Sequence, residues 1–194
     1  MQYDLTAAKS EVARKIVGEC VRQFGRLDIL INNAGIIRRD PALDFGEEDW
    51  EEVIGVNLSS AFYLSQAAAR QFVEAGRGGK IINTASVLSY EGGILVPSYA
   101  ASKGGIANLT RALANEWAAL DINVNAIAPS YFSTNLTSAL RADTARSEAL
   151  LVRLPAGRFG EAEDLKGAAV FLASDAAAYV HGAVVPVDGG WLGR

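Results

Sequence analysis

The chain is poor in the residues that mark several whole classes of protein. A single cysteine, Cys20, stands in 194 residues, so no internal disulfide framework can form. One histidine, His181, beside that one cysteine excludes the common zinc spacings, and no metal site is expected. Neither sign of charge dominates: 18 basic residues face 22 acidic ones, the net charge is −4 and the pI is near 5.1. With no run of five like charges, that balance argues against a nucleic-acid surface or a polybasic membrane anchor. No apolar run approaches the roughly 18 residues of a membrane span, and the opening MQYDLTAAKSEVARK has no apolar signal core. Three Asn-x-Ser/Thr triplets, at Asn57, Asn108 and Asn135, carry no weight without such a signal. The phosphate-binding patterns G-x-G-x-x-G and G-x-x-x-x-G-K-[ST] are both missing. The nearest glycine cluster, Gly76-Arg77-Gly78-Gly79, follows a helical stretch and precedes a strand, where it reads as a helix cap and turn. These exclusions leave the expectation of a soluble, intracellular, single-domain protein over 1–194, with no nucleic-acid or membrane partner.

What is present is apolar and periodic. Half of the residues are hydrophobic and 21% are charged, enough for a sizeable core. Short blocks rich in β-branched residues, Leu27–Ile31, Lys80–Asn83, Ile122–Ile127 and Ala183–Val187, lack polar alternation, as strands buried on both faces do. Residues 7–24, 47–75, 98–119 and 161–174 carry helical spacing between them. The first of these places Val12, Ile16, Val17, Cys20, Val21 and Phe24 on one face and stops at Gly25. The acidic start Glu47-Glu48-Asp49 suits the positive end of a helix dipole. Alternation of strand and helix predicts an α/β fold built on a parallel sheet. Gln2–Leu5 reads as the tail of a further strand. Residues 128–160 show no clear period, which marks either a lid over a site or an inert excursion.

Tyr99 and Lys103 are four apart, one helical turn, on the same face. An ammonium beside a phenol favours the phenolate, which fits the hydroxyl to exchange protons with an alcohol or a ketone. Chance alone yields such a pair in roughly one chain in seven of this composition, so the context decides. Ser86 directly follows a strand, at the edge where open α/β sheets place their sites. Another strand runs into Asn32-Asn33-Ala34-Gly35, whose small residues let a ligand approach the backbone. Asn57 sits inside a helical stretch, where asparagine is a mediocre former.

Taken together, Asp4-Leu5, Asn32-Asn33-Ala34-Gly35, Asn57, Ser86, Tyr99-x-x-x-Lys103, Asn123-x-Asn125-x-Ile127-x-Pro129 and Asp188-Gly189-Gly190 resemble the short-chain dehydrogenase/reductase family. Within it, GIIRRDPALDF, LVPSYAASK, RLPAGRFG and DGGWLGR look most like the sugar-acid dehydrogenases of uronate breakdown. The resemblance implies a Rossmann-like parallel sheet with helices on both faces, lacking the family's first two βα units. It also implies hydride transfer between NAD or NADP, NAD favoured, and a secondary alcohol or ketone of a 2-deoxy-gluconate or 3-deoxy-2-keto-gluconate type acid. Tyr99 would then be the general acid/base. Lys103 would hold the nicotinamide ribose and lower the tyrosine pKa, Ser86 would bond the substrate oxygen, and Asn57 would position a relay water. Asn33, Ala34 and Gly35 would line the cofactor, Asp4 and Leu5 would meet the adenine, and Phe132 and Thr134 the carboxamide. Arg38 and Arg39, just after NNAG, are either a fork for the substrate carboxylate or simply solvated. A homo-oligomer, tetramer or dimer, is implied through the helices at 47–75 and 98–119. Where the family has Pro-Gly, this chain has Pro129-Ser130, a serine that would be strained if its φ were positive. The missing glycine-rich turn keeps a second reading open, a catalytically impaired dehydrogenase-like subunit, and a 3-oxoacyl reductase is the alternative within the enzyme class.

Overall fold

Four short strands run parallel, side by side, in the order in which they occur along the chain. In a computed structural model that describes residues 3–6 and 9–194, these are β1 (Ile29–Asn32), β2 (Gly79–Thr84), β3 (Ile122–Pro129) and β4 (Val184–Val187). The register is continuous: Asn32 lies beside Asn83, Asn83 beside Ala126, and Ala126 beside Val184. Each observed strand starts or stops within two residues of its apolar block in the sequence. Tyr3–Leu5 forms no strand, and Gln2 lies outside the described residues.

Helices cover both faces because successive side chains of a strand point to opposite sides. Ile81, Ile122 and Val124 are fully buried against α1 (Ser10–Phe24), α3 (Ser60–Ala75) and α4 (Pro97–Trp117), with Phe72 and Leu113 filling between them. Ile82 and Ile127 face the other way, onto Leu172 of α7 (Lys166–Ala173) and Ala177. Burying each such side chain fully contributes about 1.5–3 kcal/mol. Asn123 and Asn125 lie on this second face and serve the fold: their amides donate to carbonyls of the 177–180 segment at 2.8–3.2 Å, bracing it against β3.

Glycine ends two of the helices as the sequence suggests. Gly25 (φ 80°) caps α1 and Gly76 (φ 64°) caps α3, each in the left-handed region. The rest of the glycine cluster is a packing device, since a Cβ on Gly78 would strike the Asp121 carbonyl and one on Gly79 the Phe72 ring. In α1 the apolar face is shorter than its pattern: Ala13 and Val17 are buried, Cys20 is half-buried and Phe24 is 67% exposed. The stretch 47–75 is interrupted: α2 (Glu47–Ile54) passes through a π-helical turn at Gly55–Ser59 before α3 begins. The stretch at 161–174 opens as a 3₁₀ turn, Ala162–Leu165, and only then becomes α7. Residues 128–160 contain two short helices, α5 (Ser138–Ala142) and α6 (Thr144–Arg153), folded over the carboxyl ends of the strands. Among the described residues, no helix is long and apolar enough to cross a membrane.

Candidate active site

Because all four strands are parallel, their carboxyl ends and the residues that follow collect on one edge of the sheet. A buried amide chain fixes this edge. Asn32 donates to Asn83 Oδ1 (2.8 Å) and to Ser65 Oγ (3.0 Å), and Asn83 donates to Thr110 Oγ1 (2.9 Å). That chain ties β1 and β2 to α3 and α4, so NNAG and Ser86 are held next to the start of α4. The sequence singled out Asn32 and passed over Asn83, whose neighbours in KIIN are apolar. A cavity of about 540 Å³ opens here. Its walls include Asn33, Ala34 and Gly35 after β1, Ser86 after β2, Tyr99 and Lys103 from α4, and Phe132 and Thr134 after β3.

Lys103 is 4% exposed, and its Nζ donates to the carbonyl of Thr84 at 2.6 Å. Burial pushes its pKa down to about 8. Tyr99 moves up from its ordinary value, because burial disfavours the phenolate; a hydrogen bond with Ser86 and the charge of Arg39 draw it partly back. Lys103 Nζ lies 5.6 Å from the Tyr99 ring centroid. Ser86 also caps the turn after β2, its Oγ accepting from Leu88 N at 3.1 Å.

Asn57 is fully enclosed within the π turn, 2% exposed. Its Oδ1 accepts from Ile36 N (2.8 Å), and its Nδ2 donates to Ile36 O (3.0 Å) and Ser102 Oγ (3.1 Å). One amide therefore clasps the NNAG loop to α4. A Cβ on Gly35 would lie 3.5 Å from Asn57 Oδ1 and 3.7 Å from Lys103 Nζ, which places this loop, Asn57 and Lys103 together. Inserted π turns recur at functional sites.

Four predicted residues do not line the cavity: Asn57 lies enclosed behind the NNAG loop, and Asp4, Leu5 and Arg38 lie away from it. The Asp4 carboxylate accepts from Thr6 N and Oγ1 at 2.9 and 2.7 Å, and Leu5 packs on the core beneath α1. Arg38 is turned onto α2, 2.6 Å from Glu52 and 3.2 Å from Asp49. Only Arg39 of the arginine pair faces the cavity, held by a 3.1 Å bond to the Leu136 carbonyl. Ser130 carries no strain of the feared kind: the described non-glycine residues with positive φ are Leu95 and Asp121 alone.

Comparison with known proteins points to a family. A family model described as enoyl-(acyl carrier protein) reductase matches residues 1–192. A 2-dehydro-3-deoxy-D-gluconate 5-dehydrogenase of Dickeya dadantii is 56% identical over 192 residues, covering 98% of this chain and 76% of that protein. The chain belongs to the short-chain dehydrogenase/reductase family. A second 2-dehydro-3-deoxy-D-gluconate 5-dehydrogenase, from Escherichia coli, is 57% identical over 92% of this chain and 71% of that protein. The crystal structure of a gluconate 5-dehydrogenase from Burkholderia cenocepacia, in complex with NADP and tartrate, is 41% identical with a TM-score of 0.94, covering 99% of this chain and 74% of that one.

A family of this kind works with a nicotinamide cofactor, and the cavity suits the nicotinamide end of one. Ser130 Oγ is buried without a hydrogen-bond partner on the wall that also carries Phe132 and Thr134. A carboxamide supplies the donor and acceptor that such a hydroxyl lacks. For the diphosphate, none of the 194 residues forms a glycine-rich phosphate turn.

Proposed function

We propose that this short-chain dehydrogenase/reductase transfers a hydride between NAD(P) and a secondary alcohol or ketone of a sugar acid of the 2-dehydro-3-deoxy-D-gluconate type. The observation that carries the reading is the convergence of Ser86, Tyr99 and Lys103 in one cavity at the carboxyl edge of the sheet. The identity to two 2-dehydro-3-deoxy-D-gluconate 5-dehydrogenases supports the substrate class.

The nicotinamide, when bound, supplies or accepts the hydride. This chain's own residues manage the substrate oxygen and its proton. Tyr99, with its raised pKa, is protonated at neutral pH and donates its proton to the ketone oxygen during reduction. Ser86, on the same cavity wall, holds that oxygen. Lys103, still mostly charged at pH 7 with a pKa of about 8, sits between Gly35, Asn57 and the Thr84 carbonyl and neutralises charge left behind on Tyr99. Asn57 holds the NNAG loop at the distance that leaves room for a relay water beside Lys103.

NAD is the proposed dinucleotide, against the NADP of the Burkholderia relative; titrating both with the same preparation decides between them. Oligomerisation is proposed through α3 and α4, in the cytoplasm. The small residues Ala67, Ala68, Ala69 and Ala107 are already buried within one chain. The contact therefore falls to the groove of Phe62, Val73, Trp117 and Leu120, and light scattering gives its stoichiometry. The test of function is turnover of 2-dehydro-3-deoxy-D-gluconate with NAD(P), with Tyr99→Phe as the control. Turnover that survives Tyr99→Phe contradicts the assignment. Absence of turnover in the parent chain favours the impaired-subunit reading.

A further inference from the structure

Beyond the cavity that holds Tyr99 lies a second lobe of about 510 Å³. The two share a wall made of Ile37, Arg39, Leu88, Tyr131 and Leu140, so they form one continuous cleft. The outer lobe is strongly one-sided in charge: Arg39, Arg146 and Arg153 line it, against the single carboxylate of Glu91. That carboxylate is engaged, accepting from Trp191 Nε1 at 2.6 Å. The guanidiniums are not neutralised. Among the described residues, no carboxylate comes within 4.0 Å of any of the three, although Arg22, Arg26, Arg38 and Arg158 are all ion-paired elsewhere. Arg153 is shelved on the Trp191 ring, 4.0 Å from its centroid, and that ring packs on Tyr131 at 4.8 Å. The stack fixes the cation in place at low entropic cost and leaves its donors open. Burial and then the Glu91 carboxylate raise the Tyr131 pKa above its ordinary value, and the charges of Arg153, Arg146 and Arg39 offset part of that rise, so all three reach the phenol.

We infer that Arg146 and Arg153 of α6, with Arg39, form the carboxylate-binding end of the substrate cleft and set its preference for acids over neutral polyols. This rests on the proposed sugar-acid reading and extends it to the specificity-determining residues. The carboxylate of a six-carbon acid lies several bonds from the carbon that reacts, so the two ends need separate parts of one cleft. Tyr99 serves one end and the arginine lobe the other. Since α6 belongs to the segment folded over the strand ends, binding of the acid also fastens that segment down.

The experiment is calorimetric titration of the 194-residue chain with D-gluconate and, in parallel, with its neutral counterpart D-glucitol. The expected result is saturable gluconate binding that is weakened about tenfold or more by Arg146→Gln and by Arg153→Gln, as loss of one charge-assisted bond implies. Lysine at either position restores part of it, and the gluconate-to-glucitol preference collapses in the double variant. Melting curves of each variant separate lost binding from lost folding. Gluconate binding that is absent in the parent chain, or unchanged in two folded variants, overturns the inference. Arginine-dependent gluconate binding without turnover leaves the clamp standing and defeats the proposed reaction. Turnover of the acid that ignores both arginines does the reverse.

Discussion

Burial acts on Tyr99 and Lys103 in the same sense chemically and in opposite senses on the pKa scale. It favours the neutral form of each, raising the phenol and lowering the ammonium to about 8. For Lys103 this has a consequence for folding. The unfolded chain keeps the lysine proton up to its ordinary 10.5, while the folded chain releases it near 8. Between those values the unfolded state binds more protons, so stability rises with pH across the window. From pH 7 to 9.5 the parent chain should gain about 2 kcal/mol relative to Lys103→Met. Urea denaturation at both pH values measures it; parallel behaviour of the two proteins would show that Lys103 is not buried as described. The arginine pair shows how far residues alone carry the reading. Arg38 and Arg39 are adjacent and chemically identical, and only the path of the chain after NNAG decides which one meets acids of α2 and which one the cavity. Asp4 and Leu5 match the family's motif; Thr6 donates twice to Asp4 Oδ1 and leaves Oδ2 open.

At the scale of elements, the π turn is the feature that most shapes the site. Asn57 satisfies both backbone groups of Ile36 from inside it. Asn57→Ala leaves a buried N–H and C=O unpaired, and unfolding free energy should fall by about 2–4 kcal/mol. Asn57→Asp sets a buried carboxylate against the Ile36 carbonyl and should cost at least as much; equal stability of all three proteins in denaturant titrations would remove the clasp from the account. Much of the rest was legible. Strands of a parallel sheet are buried on both faces and so write themselves as apolar blocks, which is why four were found within two residues. Gly25 and Gly76 announced two helix ends. The π turn was not legible, because one inserted residue disturbs helical spacing too little to be seen in 47–75. Nor were α5 and α6, five and ten residues long: helices of one to three turns barely repeat a pattern. Their arginines therefore went unread, although the segment carrying them stood out as either a lid or an inert excursion.

At the scale of the molecule, β1 is the open side of the design. It pairs with β2 alone among the described residues, and Ile29 and Ile31 are 41% and 52% exposed. Phe171 of α7, on the same face as Ile31, is also partly exposed. A bare apolar edge recruits other strands. We therefore expect the 194-residue chain to grow open-ended assemblies with concentration, and Ile31→Lys to suppress them, by sedimentation velocity. Loss of solubility on adding that charge would contradict the prediction. The chemistry gathers at the carboxyl ends of the strands, that of β1 among them. The most direct test of that chemistry is the rate at which the chain reduces NAD or NADP with 2-dehydro-3-deoxy-D-gluconate, at saturating cofactor, beside Tyr99→Phe. The account predicts measurable turnover that drops about 10²–10⁴-fold in the variant; equal rates in the two proteins would contradict it.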